Sequence, residues 1–330
     1  MLCDVVLRGA AITAVGAQAA HVEALGFAGV GVTETSGNPF LAAAQAAQAT
    51  SHVRVSTAIA LAFPRTPMDV AYTCWDLQAL SGGRFALGLG TQVRAHVERR
   101  YGAVWSRPAA RMREYVLALH AIWDAWESGD DLRFEGEIYQ HTLMPPNFRP
   151  PPAAHPRPRV LLAAVRERMT EVAGEVADGL LGHSFCTADV LREVTIPALE
   201  RGLERGGRAR GDVEVTASVF VAMSDAEWEA ARTRVAFYGS TPGYRHVLDH
   251  HGLGALFEAL HERSRAGDWA GMPALVDDDV LTLFVARASE PAALAAAVRE
   301  RVGGVADRVC MVADSTDPAA LAPVAKALRA

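Results

Sequence analysis

The chain has 330 residues, half of them hydrophobic and about a fifth charged, with 32 Lys and Arg against 38 Asp and Glu for a formal net charge of −6. That composition can bury a sizeable core and excludes disorder as the dominant state, while the missing basic excess argues against a nucleic-acid partner. No apolar stretch reaches the ~18–20 uncharged residues of a membrane span, and four scattered cysteines without a CxxC pair fit free thiols in a reducing cytosol.

At the start of the chain, Arg8 and the run from Gly9 to Ala17 have a loose likeness to a secretion signal. The run is Ala, Gly and Thr rather than Leu, and Asp4 precedes it, so a cytoplasmic protein is expected. Strands are predicted at Leu2–Leu7, Ala28–Thr33, Val53–Leu61, Arg84–Leu89, Arg159–Ala164, Gly179–His183, Val213–Val221 and Asp307–Val312. Helix-length segments separate most of them, which argues for βα units and a parallel sheet. Several runs are apolar without alternation, as strands covered on both faces are.

Between the fourth and fifth strands, Ser106 is expected to cap a helix with Pro108 in its first turn and Gly129 past its end. Met112, Val116, Leu119, Trp123 and Trp126 recur along it at three- and four-residue steps, a stripe that would lie on the sheet. Asp69, Thr187 and Ser224 stand where other helices would begin. The first long gap ends in a proline cluster from Pro145 to Pro158, read as a stiff insertion because the strand rhythm resumes unchanged at Arg159. A second long gap follows the seventh strand. Eight parallel strands predict a closed (β/α)8 TIM barrel, with insertions after strands four (about 130–158) and seven (about 238–300) in one domain spanning 1–330. An open doubly wound sheet is the competing arrangement. In a barrel the site gathers at the C-terminal strand ends, which are Thr33–Thr35, Thr57–Phe63, Gly90–Gln92, Ala164–Arg166 and His183–Phe185.

Several motifs fall short of known chemistry. Gly88-Leu89-Gly90-Thr91 lacks the third glycine of a dinucleotide fingerprint and is better read as a strand end where backbone approaches a ligand. Gly182-His183-Ser184-Phe185-Cys186 has Cys where a hydrolase nucleophile elbow has glycine, although Asp249 and His250 follow in triad order. His246 and His250 would share a helix face but lack a recognisable ligand set, so no metal is expected. Glu34, at the end of the second strand, is either an acid, base or ligand-orienting carboxylate at the barrel mouth, or a structural ion pair.

Taken together, the strand-end segments resemble the luciferase-like monooxygenase superfamily, and within it the branch that uses the deazaflavin coenzyme F420. The resemblance rests on Gly26-Phe27-Ala28 into Val32-Thr33-Glu34, Val55–Ala60, and Leu80-Ser81-Gly82-Gly83-Arg84-Phe85 into Gly88-Leu89-Gly90-Thr91. Val160–Ala164 and Ala173-Gly174-Glu175-Val176-Ala177-Asp178-Gly179 continue it. It implies a barrel carrying a flavin-like ring at its mouth, backed by a bulge with a non-proline cis peptide at Ala58–Ile59. Thr57 and Gly90 would belong to the same cofactor-binding set, Thr91 and Gln92 would line the ring or its side chain, and backbone near Ala164, Val165 and Arg166 would meet the phosphate. Relatives usually have Gly-Pro where this chain has Arg166-Glu167. The arginine then either adds a phosphate contact or marks weakened binding. The glutamate and histidine of the sugar-phosphate dehydrogenases are replaced by Val93 and Thr35, leaving Glu34, His96 and His183 as ionisable catalytic candidates.

The expected activity is therefore F420-dependent hydride transfer to or from a small molecule, in a homodimer. An FMN-dependent monooxygenase and a degenerate barrel with a binding or regulatory role are the alternatives. The substrate pocket is expected to be walled by Trp105, Tyr139, Phe148, Phe237 and Tyr244, or these are interface or core residues.

Overall fold

The computed structural model describes residues 1–313 and 317–330. Eight parallel strands form its centre: β1 (Leu2–Leu7), β2 (Gly29–Val32), β3 (Arg54–Thr57), β4 (Phe85–Gly90), β5 (Arg159–Ala164), β6 (Gly179–Gly182), β7 (Glu214–Ala222) and β8 (Arg308–Val312). Each pairs in parallel with the next, and β8 closes on β1 through the register Leu2↔Arg308, Cys3↔Val309, Asp4↔Cys310. The closed sheet with helices outside it is a (β/α)8 barrel, as expected. Its strands are covered on both faces, and β4 and β8 are buried at every position. This is why they read as continuous apolar runs.

The predicted third strand is broken. β3 ends at Thr57, a bulge occupies Ala58 and Ile59, and Ala60–Leu61 resumes pairing with β4 at Leu89 and Gly90. The helix Pro108–Ser128 begins and ends near the expected residues, and Gly129 closes it in the left-handed region at φ 82°. Its start differs from expectation. Arg107 takes a left-handed turn at φ 34° and no side chain caps the helix. That turn sets Ser106 a residue too far away to reach the first N–H groups. For the helix Pro67–Leu80 the cap is Thr66, whose hydroxyl accepts from the Asp69 N–H at 3.2 Å, and Asp69 itself lies in the first turn. Thr187 and Ser224 do cap their helices.

Both long gaps are insertions. The proline-rich one is no linker. It carries a short antiparallel pair, Phe134–Glu135 with Gln140–His141. The Tyr72 hydroxyl, Trp75 indole and Gln78 amide pin it by donating to the carbonyls of Phe148, Pro151 and Pro156. After β7 come the helices Asp225–Gly239, Arg245–His250, Gly254–Arg265 and Asp278–Phe284, then a short strand, Val285–Arg287, added to β7. This segment packs its own apolar cluster around Phe185, Phe220, Trp228, Leu248 and Phe284. Among the described residues, no helix is long and apolar enough to cross a membrane.

Candidate active site at the barrel mouth

The tips of β2, β3 and β4 make one continuous piece of rim. The peptide bond Ala58–Ile59 is cis, as the resemblance implies. Glycines make room for the bulge. A Cβ on Gly31 would lie 2.8 Å from the Ala58 Cβ, and one on Gly90 would lie 2.3 Å from the Ile59 Cδ1. Gly88 is tighter still, because its Cβ would fall 1.9 Å from the Thr57 carbonyl oxygen. Thr57 is fully buried, and its hydroxyl donates to the Gly88 carbonyl at 2.7 Å and accepts from the Gly88 N–H at 2.9 Å. The side chain thus replaces the ladder bonds that the bulge interrupts.

Glu34 sits beside this bulge and is fully committed. Its carboxylate accepts from the Leu61 N–H at 2.8 Å, from both terminal nitrogens of Arg65 at 2.8 and 2.9 Å, and from the Tyr101 hydroxyl at 2.9 Å. Burial, followed by that hydrogen bond to Glu34, raises the Tyr101 pKa. A carboxylate with four donors and a bidentate arginine is a brace that locks the rim beyond the bulge. Gly90 ends β4, and Thr91 and Gln92 turn away from the strand. Gln92 takes a left-handed φ of 59°, and its side-chain oxygen accepts from the Val93 N–H at 2.9 Å. His96 lies on the short helix Arg94–Arg99 and is exposed.

Across the mouth, Ala164 ends β5, and Val165 and Arg166 lead into the helix Glu167–Val176. The Arg166 guanidinium donates to the carbonyls of Pro242 at 3.0 Å and Gly243 at 3.3 Å, tying the second insertion to the rim. Glu167 turns away to Arg201 at 2.6 Å. Ala164, Val165, His183 and His246 share a cavity of about 40 Å³, and His246 lies against the backbone of Val165 and Gly243.

His183 follows β6. Its Nδ1 accepts from the Phe185 N–H at 3.0 Å, which places the ring proton on Nε2, 3.2 Å from the Tyr244 hydroxyl oxygen. The two rings stack at 4.6 Å, and Tyr238 meets His183 edge-on at 4.7 Å. Burial, and secondarily the Arg8 charge, hold the His183 pKa down at about 4. The imidazole is therefore neutral at pH 7 and donates to the Tyr244 oxygen, and burial raises the pKa of that phenol.

The structure brings Glu34, Thr57, Ala58, Ile59 and Gly90 together, and sets Ala164, Val165, Arg166 and His183 on the next sector. The expected aromatic wall divides instead. Trp105 packs edge-on against Phe63, Tyr139 against Tyr115 and Tyr244 against His183, while Phe148 is 66% exposed and Phe237 pairs with Trp269. The Ser184–Asp249–His250 order forms no triad. Asp249 pairs with Arg245 at 3.2 Å and His250 with Glu193 at 3.1 Å. Sequence reasoning missed Arg65 and Tyr101, the partners of Glu34, and Arg8, the first residue beyond β1. The strand-end rule applied to β1 would have found Arg8, whereas nothing in the sequence marks Tyr101.

Comparison with known proteins agrees with this architecture. The chain is 50% identical over 297 residues to an uncharacterized protein of Mycobacterium tuberculosis (strain ATCC 25618 / H37Rv), covering 88% of this chain and 87% of that one. It is 29% identical over 226 residues to the 5,10-methylenetetrahydromethanopterin reductase of Archaeoglobus fulgidus, covering 66% and 64%. The solved coenzyme F420 dependent tetrahydromethanopterin reductase of Methanopyrus kandleri superposes with a TM-score of 0.80 at 20% identity, covering 99% of this chain and 98% of that one. Residues 4–308 match the luciferase-like monooxygenase family, and the chain belongs to it.

Proposed function

We propose that this oxidoreductase uses coenzyme F420 to move a hydride between the deazaflavin C5 and a small organic substrate, with residues 1–330 acting as one barrel unit. The observation that carries the reading is the bulged β3 tip clasped to β4 by Thr57, in a chain that matches the family over residues 4–308. When bound, the deazaflavin supplies the hydride donor or acceptor, and the protein supplies orientation and a water-poor pocket.

The residues present fit such a group. His246 lines one cavity with Ala164 and Val165, where a ring N–H of its imidazole would donate to an oxygen-rich ligand group. The helix Glu167–Val176 opens at the same tip, and its first N–H groups favour an anion. We assign phosphate recognition to the backbone of Ala164, Val165 and Arg166, because the Arg166 guanidinium is spent on carbonyls. Ala58, Ile59, Gly90, Thr91 and Gln92 are assigned to the ring, with Thr57 supporting them from behind. Proton handling falls to Tyr244, with His183 as its positioning residue. Glu34 is assigned the brace, and the exposed His96 is the remaining ionisable group of the rim.

Titration of the purified protein with F420 and, separately, with FMN tests the reading through the absorbance and fluorescence of each cofactor. Saturable binding of F420 with none of FMN is expected. Binding of FMN alone would move the protein to flavin monooxygenase chemistry. Binding of neither would leave a barrel with another role.

A further inference from the structure

The inner face of β1 carries a charge that the cofactor assignment does not use. Asp4 and Val6 pair with Gly29 and Gly31 of β2, and a Cβ on Gly31 would lie 3.3 Å from the Val6 Cγ2 and 3.5 Å from the Ser56 Oγ of β3. These side chains therefore meet inside the barrel. Leu7 points the other way, toward Val15 of the helix Ile12–Ala24. Alternation along the strand then directs Arg8, two residues beyond Val6, into the barrel mouth. Two groups on other strands feel its charge there. Burial, and then Arg8, lower the pKa of His183 at the β6 tip. Burial raises the thiol of Cys310, which pairs with Asp4, to about 12, and Arg8 opposes that rise.

Arg8 is exposed, and among the described residues nothing lies within hydrogen-bond or ion-pair distance of its guanidinium. Three other arginines of the rim are consumed. Arg65 is held by Glu34, Arg166 by two carbonyls, and Arg100 by the Thr35 carbonyl at 2.7 Å. Glu34 is in turn neutralised by Arg65. The inner wall from β2 to β5 is small and uncharged at Gly31, Ala58, Gly90 and Ala163, which stand close to one another. The mouth therefore combines a wall of small residues, a neutral imidazole bonded to a phenol, and one uncompensated cation. An arginine fork matches a carboxylate in two parallel hydrogen bonds, whereas a phosphate dianion would leave excess negative charge beside a single guanidinium.

We propose that Arg8 is a specificity-determining residue of the substrate site, and that it receives the carboxylate of an organic acid entering the barrel mouth between the β1 tip and the His183–Tyr244 pair. Calling the acid a substrate rests on the oxidoreductase reading above, but binding of its carboxylate does not require the cofactor.

Calorimetric titration of the full-length protein, with and without added F420, against benzoate, benzamide and benzamidine tests it. The three probes share a ring and a planar head group and differ in charge. Benzoate is expected to bind at one site at least about tenfold more tightly than benzamide, the scale of one charge-assisted hydrogen bond. Benzamidine should bind more weakly than either. Arg8→Met should bring benzoate down to the benzamide value while leaving benzamide unchanged, and Arg8→Lys should retain part of the preference. Arg100→Met, which removes an equal charge from the same rim, should leave the preference intact. Equal affinity for benzoate and benzamide, or a preference lost as fully in Arg100→Met as in Arg8→Met, would overturn the proposal. Phenylphosphonate bound more tightly than benzoate would overturn the choice of a carboxylate. Loss of F420 binding in Arg8→Met would make Arg8 a cofactor residue and overturn its substrate role. The F420 titration also separates the two readings. An Arg8-dependent benzoate preference in a protein that ignores F420 supports the anion site and removes the cofactor, whereas F420 binding without that preference removes the anion site alone.

Discussion

At the tip of β6, His183 shows how far a single residue can be read from sequence and where that reading ends. Its place after a strand was legible, because barrel sites gather there. Its protonation state was not, because that follows from Tyr238, Tyr244 and Phe185, which close around the ring from two other segments. Burial holds the folded pKa near 4, against an ordinary value of 6.5. The unfolded chain therefore binds the proton more readily throughout that interval. Stability is full above pH 6.5 and is lost as pH falls toward 4, by about 2 kcal/mol at pH 5 from this residue. His120 is also held at about 4 by burial and adds loss of the same sign. A His183→Gln protein should show a shallower fall in urea midpoint between pH 7 and pH 5 than the parent. Parallel pH curves for the two proteins would show that His183 is not the titrating group. Glu34 teaches the complementary lesson. Its position was legible, but the choice between reagent and ion pair depended on Arg65 and Tyr101, which local sequence does not join to it.

Among the elements, the strands were the most legible, because strands buried on both faces leave an apolar run that no local competitor disguises. β1 and β5 have the bounds expected of them, and most of the others differ by a residue or two. The third differs by more, since periodicity carries no sign of a bulge. What stabilises that bulge is a pair of residues, Thr57 and Gly88, whose meeting depends on the β3–β4 register Val55↔Phe85, Ser56↔Ala86. Two substitutions separate their contributions. Thr57→Val keeps the shape and removes the hydroxyl, leaving the buried N–H and carbonyl of Gly88 unpaired, at a cost of about 1–3 kcal/mol. Gly88→Ala keeps the hydroxyl but forces a methyl to within 1.9 Å of the Thr57 carbonyl carbon's oxygen, backbone that cannot rotate aside. It should cost more than Thr57→Val, and urea denaturation of both proteins measures the order. A Gly88→Ala protein as stable as the parent would show that the two strands can separate without loss. The helix starts were legible where a side chain does the capping, at Thr187 and Ser224. They were misread where Arg107 turns left-handed, a backbone choice that an arginine does not advertise.

For the whole molecule, closure of the barrel was legible from the strand–helix rhythm, but the ionic cluster that joins its strands near their starts was not. Asp4 of β1 accepts from Arg54 of β3 at 2.8 Å and from the Nε of Arg308 of β8 at 2.9 Å, with a second, shorter bond from the same guanidinium. Glu214 of β7 accepts from Arg54 at 2.5 Å and from Arg159 of β5 at 3.3 Å. Five strands thus share one cluster, buried at Asp4 and Arg308 and exposed at Arg159, whose members lie up to 304 residues apart in the chain, a separation that no local pattern spans. Gly29 of β2 makes room for it, since a Cβ there would meet the Asp4 carboxylate at 2.4 Å. Burying this many charges is favourable only while they are matched, so removing one carboxylate should matter more than removing a whole pair. Asp4→Asn leaves Arg54 and Arg308 with Glu214 as their remaining anion and should destabilise the fold by about 3–5 kcal/mol. The double variant Asp4→Asn, Arg308→Met removes the surplus charge as well and should recover part of that loss. Because the cluster lies toward the end of the barrel opposite the mouth, cofactor affinity of the folded single variant should stay within about twofold of the parent. A double variant no more stable than Asp4→Asn would mean that charge matching is not what holds these strands together, and that apolar packing alone closes the barrel.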